Sequence, residues 1–128
     1  MGLEYQKICI RNACKEDCKQ LATWWNDGSM MAHAGFPNGL HTSGQEIEEK
    51  ISRDSDETTR RFIIEYEDQS IGKMSYTNLG NQVVEIGIEI CTSSYQNKGL
   101  GKIILSMFIQ ELFQEEYTKI VLDTNLNS

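Results

Sequence analysis

The sequence predicts an α+β fold of the three-layer α/β type: a mixed, mostly antiparallel sheet flanked by helices, ending after the fifth strand. Two observations carry that expectation. Over residues 83–91, Val84, Ile86, Ile88 and Ile90 alternate with Glu85, Gly87, Glu89 and Cys91, the period of a half-buried strand. Over 102–114, Ile103, Ile104, Leu105, Met107, Phe108, Ile109, Leu112 and Phe113 follow helical spacing with a wide apolar face, as on a helix buried against a sheet. A further strand over 119–124 makes strand, helix and strand a right-handed crossover unit.

The elements ahead of this unit follow in order. Residues 6–11, with Ile8 and Ile10 on one face, read as the first strand. Asn12 is placed to cap a helix over 14–25 whose apolar side carries Cys14, Cys18, Leu21, Ala22 and Trp25. Residues 26–43 are irregular and hold Gly28, Gly35, Gly39, the single proline Pro37 and both histidines, His33 and His41. Loops of that size in a compact domain tend to be functional. A short polar helix follows over 44–53, with Ile47 and Ile51 at i and i+4. Residues 61–67 and 70–79 form a hairpin turning at Glu67, Asp68 and Gln69, and 78–82 turn the chain into the alternating strand.

Size and composition bound the function. A chain of 128 residues is expected to form one domain with a single core. No apolar run approaches the roughly 18 residues of a membrane helix, and the amino terminus lacks a signal-peptide pattern. The four cysteines form no Cys-x-x-Cys pair, and Cys14 and Cys18, four apart, lack the further ligands of a zinc site. They read as reduced thiols of a cytoplasmic protein, and no metal is expected. A net charge of −7 argues against nucleic acid as partner and suits a small cationic one.

Between the alternating strand and the apolar helix lies Gln96-Asn97-Lys98-Gly99-Leu100-Gly101. A glycine-bearing turn at a helix N-terminus offers unpaired N–H groups and the positive end of the helix dipole to an anion. A dinucleotide fingerprint starting at Gly99 needs glycine where Ile104 stands. A P-loop ending at Gly101-Lys102 needs glycine at Gln96 and a hydroxyl residue at Ile103. Both fail. What remains resembles the acyl-coenzyme A signature of the GNAT N-acetyltransferase superfamily, Gln/Arg-x-x-Gly-x-Gly/Ala, met by Gln96, Gly99 and Gly101. Strand, anion turn, helix and strand in this order resemble the core of that fold, and the opening strand and helix resemble its start.

The resemblance implies acetyl-CoA as cofactor, with its pyrophosphate held by Gln96, Asn97, Lys98, Gly99, Leu100, Gly101 and Lys102. It implies that backbone N–H groups around Ile90, Cys91 and Thr92, left open by a splayed neighbouring strand, pair with the pantetheine arm and stabilise the oxyanion. It also implies a chain that stops short of the family's usual C-terminal helix and last strands. Ser128 falls where the family places an asparagine, with Asn127 one residue away. The strand over 119–124 would then present an edge open to a homodimer partner.

Acetyl transfer to an amine needs the ammonium deprotonated, and a carboxylate can bind that cation and accept its proton. Glu85, fourteen positions before Gly99, matches the catalytic glutamate of the histone-type enzymes in the superfamily. Glu89 is the second candidate, on the same face roughly 13 Å away at about 3.3 Å per residue, unless a bulge intervenes. On the plain reading both are charged residues of a solvated strand face. No tyrosine is nominated as general acid, although Tyr76, Tyr95 and Tyr117 are present. Acceptor selection falls to the segment 24–40, where Trp24, Asp27, His33 and Phe36 offer aromatic faces and a carboxylate to an amine cation, while Trp25 reads as core. The expected function is transfer of an acetyl group from acetyl-CoA to a primary amine of a small molecule, an antibiotic or a protein N-terminus. The alternative is a catalytically silent acyl-CoA-binding or oligomerisation module.

Overall fold

A computed structural model describes residues 2–27, 43–55, 57–95 and 99–122. They fall into two compact units, one of the described residues within 1–12 and 55–128 and the other of those within 13–54.

The first unit is a six-stranded sheet in the order β1 (Gly2–Tyr5), β2 (Ile8–Asn12), β3 (Thr59–Tyr66), β4 (Gln69–Gly80), β5 (Val83–Ile90) and β6 (Lys119–Leu122). Every neighbouring pair is antiparallel except β5 and β6, which run parallel across a helical crossover. The sheet thus has six strands where the sequence predicts five. The expected first strand over 6–11 is a hairpin, with Tyr5 opposite Ile8 and Gln6 in the left-handed region at φ 54°. Gln6-Lys7 lacks the glycine, asparagine or aspartate that normally marks such a turn, so the sequence hides it. The hairpins at Glu67-Asp68 (φ 50° and 64°) and Asn81-Gln82 (φ 55° and 64°) have positive φ at both central residues, as two-residue turns between twisted strands require.

One face of this sheet carries Ile8, Ile10, Phe62, Ile64, Met74, Tyr76, Val84, Ile86, Ile88 and Ile90 in one buried cluster with Ile104, Phe108 and Leu112. Those last three lie on a single stripe of the helix Leu100–Gln114. Phe108 packs edge-on against Phe62 (centroids 5.2 Å apart), and Phe62 stacks on Tyr76 at 5.7 Å.

The second unit contains the 3-10 turn Lys15–Asp17, the helix α1 (Cys18–Asn26) and the helix α2 (Gly44–Ser52); the sheet-covering helix Leu100–Gln114 is α3. The chain enters α1 differently from the sequence expectation. Asn12 ends β2 and caps nothing; instead the Asp17 carboxylate accepts the Cys14 N–H (2.8 Å) and the Cys14 thiol (3.3 Å). The tighter 3-10 turn rotates the buried stripe onto Cys18, Leu21 and Trp24, leaving Cys14 exposed and Trp25 half-buried. Lys50 of α2 lies 5.6 Å from the Trp25 ring centroid.

Ser43 caps α2: its Oγ accepts the Glu46 N–H at 3.1 Å and donates to Glu46 Oε1 at 3.3 Å. Ser43→Ala is expected to lower the unfolding free energy by about 1 kcal/mol, measured by urea denaturation. A loss below a few tenths would show that the cap carries no stability.

Candidate functional site

The strand β5, the segment after it and the first turn of α3 build the site. Burial along β5 alternates as its sequence does: Val84, Ile86, Ile88 and Ile90 are buried on the α3 face, while Glu85 is exposed and Glu89 half-buried on the other. The register with β4 is unbroken from Thr77 opposite Glu85 to Lys73 opposite Glu89. No bulge separates the two glutamates, so both carboxylates share one sheet face, with Gly87 between them.

A two-on-one pairing does occur, but beyond Glu89. The N–H groups of Cys91 and Thr92 both donate to the Ile71 carbonyl of β4, at 2.7 and 3.2 Å. This corrects the expectation that a splayed neighbour leaves these two groups open: β4 engages both. Backbone groups alternate between the edges of a strand, so Ile90 addresses the opposite edge, toward β6. Pairing with β6 is described from Val83 opposite Lys119 to Ile86 opposite Leu122.

The Cys91 thiol donates to Glu89 Oε1 at 3.7 Å and to the Glu89 carbonyl at 3.8 Å. The thiol is therefore tied to a carboxylate. Of the three tyrosines named above, Tyr76 is buried in the aromatic cluster, Tyr117 packs on it at 6.2 Å, and Tyr95 meets Tyr66 edge-on at 5.4 Å.

After the 3-10 turn Ser93–Tyr95, α3 begins at Leu100 with Gly99 as its N-cap. Gly99 has φ +79°, and a Cβ there would meet nothing within 4 Å among the described residues. Glycine is required here by backbone conformation, and the space beside it is open to a ligand. Its missing side chain cannot cap the helix, so the first-turn N–H groups of Leu100, Gly101 and Lys102 point outward with the positive end of the dipole. Gly101 is buried and Lys102 exposed. Gln96, Asn97 and Lys98, the other half of the expected pyrophosphate turn, lie outside the described residues. The described donors suit a diphosphate: main-chain N–H groups, a glycine with no described atom near its Cβ position and one exposed cation.

In the second unit, Trp24 is buried and Asp27 is the exposed C-cap of α1, its N–H donating to the Trp24 carbonyl at 3.2 Å. His33 and Phe36 lie outside the described residues. Among the described residues no group of three or more His, Cys, Asp or Glu is placed to hold a metal, and no helix is long and apolar enough to cross a membrane.

Three other thiols have raised pKa values. Burial is the largest cause for Cys9, followed by Glu65, and for Cys18, followed by Glu48; for Cys14 it is a side-chain hydrogen bond with Glu16. A raised thiol pKa means that the folded state keeps a proton that the unfolded state has released. This contribution is complete below the unfolded thiol pKa, about 8.5, and disappears as pH rises through the higher folded values. Chemical denaturation between pH 8 and 10.5 should therefore show stability falling with pH, and replacing Cys9 and Cys18 by alanine should flatten that fall.

Gly72 is a site-adjacent residue that sequence reading overlooked. A Cβ on it would run into the Glu89 carbonyl oxygen and come within 3.1 Å of Ile90 Cα. An isolated glycine inside a strand pattern was the available signal.

The comparisons with known proteins agree with this fold. A spermidine N-acetyltransferase from Vibrio cholerae, solved with CoA and spermine, superposes with TM-score 0.78 at 20% identity, over 91% of this chain and 70% of that one. The aminoglycoside acetyltransferase AAC(6')-Ib in complex with coenzyme A gives TM-score 0.74 at 20% identity, over 91% and 73%. A ribosomal-protein-S5-alanine acetyltransferase from Vibrio fischeri gives 0.76 at 16%, over 95% and 73%. At these identities the likeness is one of fold. Comparison with curated protein sequences gives no significant match. The family model described as "Acetyltransferase (GNAT) domain" matches residues 7–127, nearly the whole chain, and the protein therefore belongs to the GNAT acetyltransferase family.

Proposed function

We propose that this protein is an acetyl-CoA-dependent N-acetyltransferase that acts on a primary amine by direct transfer in a ternary complex. One observation carries the reading. The glycine-headed N-terminus of α3 lies after the end of β5, and that strand presents Glu85 and Glu89 on one face. Anion cradle and proton acceptor thus belong to one continuous stretch of chain.

Acetyl-CoA supplies the acyl group as an activated thioester. Gly99, Leu100, Gly101 and Lys102 hold its pyrophosphate through main-chain N–H groups and one ammonium, with Gln96, Asn97 and Lys98 completing the turn. Residues 90–92 flank the reacting end of the thioester. Glu89 is our first choice as acceptor of the amine proton. It is two residues from Cys91, about 7 Å of strand, whereas Glu85 is about 20 Å away. Glu85, on the same face, then draws the ammonium in. Acceptor choice we assign to Asp27, His33 and Phe36 of the segment 24–40, and no longer to Trp24, which is buried. Four cysteines without a disulfide fit a reducing compartment such as the cytoplasm. The solved relatives act on a polyamine, on aminoglycosides and on a protein alanine, and the net charge of −7 favours a cationic acceptor of that kind.

The test is incubation with acetyl-CoA and a panel of polyamines, aminoglycosides and peptides with free N-termini. Thiol release and a 42 Da gain on one acceptor, roughly the mass of an acetyl group replacing a proton, are the expected results. Coenzyme A binding with no thiol release for any amine would replace the enzyme reading by an acyl-CoA-binding module.

A further inference from the structure

Resting on the acetyl-CoA reading above, we infer that Gly72 of β4 is a positioning residue for the acyl end of the site, acting through the Ile71 carbonyl. The register between β3 and β4 shifts after Ile64: Ile64 faces Gly72 while Glu65 faces Ser70, so Ile71 is the extra residue on β4. On the β5 side, the carbonyl of that inserted residue takes both the Cys91 and the Thr92 N–H. Gly72 pairs with Ile90 at the same place, where a side chain would collide with the Glu89 carbonyl. The obstacle is backbone, which cannot rotate away as a flexible side chain would.

Three features of β4 therefore converge on residues 89–92: an inserted residue, a doubly used carbonyl and a missing Cβ. Together they allow β5 to approach β4 while two consecutive N–H groups are drawn to one acceptor. That fixes where the strand ends, where the Glu89 carboxylate sits relative to the Cys91 thiol, and which edge Ile90 addresses. A Cβ at Gly72 has to push Glu89 and Ile90 away from β4 and loosen the grip of Ile71. Gly72 touches no reactant in this scheme; it places the main chain that does.

The experiment compares Gly72→Ala with Gly80→Ala, a strain control at the other end of β4, where φ is +88° and nothing lies within 4 Å of a Cβ. Each variant and the parent are titrated with adenosine 3′,5′-bisphosphate, which occupies only the nucleotide end, and with acetyl-CoA; kcat and KM follow for any acceptor found. For Gly72→Ala we expect unchanged bisphosphate affinity, at least tenfold weaker acetyl-CoA binding, and a fall in kcat on the order of 100-fold, as for a misplacement of about 1 Å. Gly80→Ala should retain both affinities and kcat. Parallel losses for both ligands, or equal effects of the two variants, would mean a general stability effect and overturn the inference. Failure of the parent to bind acetyl-CoA would instead defeat the functional reading beneath it. Should Gly72→Ala not fold, amide exchange on the parent decides: Cys91 and Thr92 must be protected both with and without acetyl-CoA. Fast exchange at both without it would overturn the inference.

Discussion

Truncating Phe108 to alanine is expected to lower the unfolding free energy by about 3–5 kcal/mol, the cost of deleting a fully buried aromatic side chain. The ring fills the space between α3 and the sheet, 5.2 Å from Phe62 and 6.1 Å from Tyr76 by ring centroid. Those neighbours belong to two different strands, β3 and β4, so the vacated volume cannot close without moving α3 or distorting the sheet. Set against total stabilities of about 5–15 kcal/mol for native proteins, the change leaves the domain marginal. Denaturant unfolding gives the value. The control is Phe113→Ala, on the same helix but 53% exposed, which should stay within about 0.5 kcal/mol of the parent. A similar loss at both positions would show that burial does not govern the helix. Because α3 also carries the first turn proposed to bind the pyrophosphate, weaker coenzyme A binding should accompany the Phe108 loss.

The second large effect concerns Glu89. Replacing it by glutamine keeps its size but removes the proposed proton acceptor, and kcat should fall by about 10²–10⁴ with little change in the KM for acetyl-CoA. Glu85→Gln should lower kcat less than about tenfold while raising the KM for a cationic amine, as expected of a group that only attracts the substrate. Steady-state kinetics on the two variants decide between them. If Glu85→Gln loses kcat and Glu89→Gln does not, the general base is Glu85, the position that resemblance to the histone-type enzymes nominates.

Much of the unit from β5 to β6 was legible because its signals are local. The alternation of Val84 to Ile90 becomes an alternation of burial. The glycine expected to shape the turn into α3 is the one found with φ +79°. The helix stripe of Ile104, Phe108 and Leu112 is the buried one. The amino-terminal hairpin was not legible, because Gln6 adopts positive φ without belonging to the residue types that favour it. The stripe of α1 moved from Trp25 to Trp24 because the chain enters through a 3-10 turn, which the spacing of apolar residues does not reveal.

The site divides along the same line. Sequence alone nominated the cradle and the candidate carboxylates and pointed to the family, since a glycine spacing, a period-two pattern and their order are properties of neighbouring residues. Only tertiary structure decided that Glu85 and Glu89 share a face without an intervening bulge. It also decided that the Ile71 carbonyl claims the Cys91 and Thr92 N–H groups, and that Gly72 is the residue permitting this. The physical reason is that strand register and backbone hydrogen-bond partners are set between segments far apart in the chain. Residues 71 and 72 meet 89 to 92 only once the hairpin has closed.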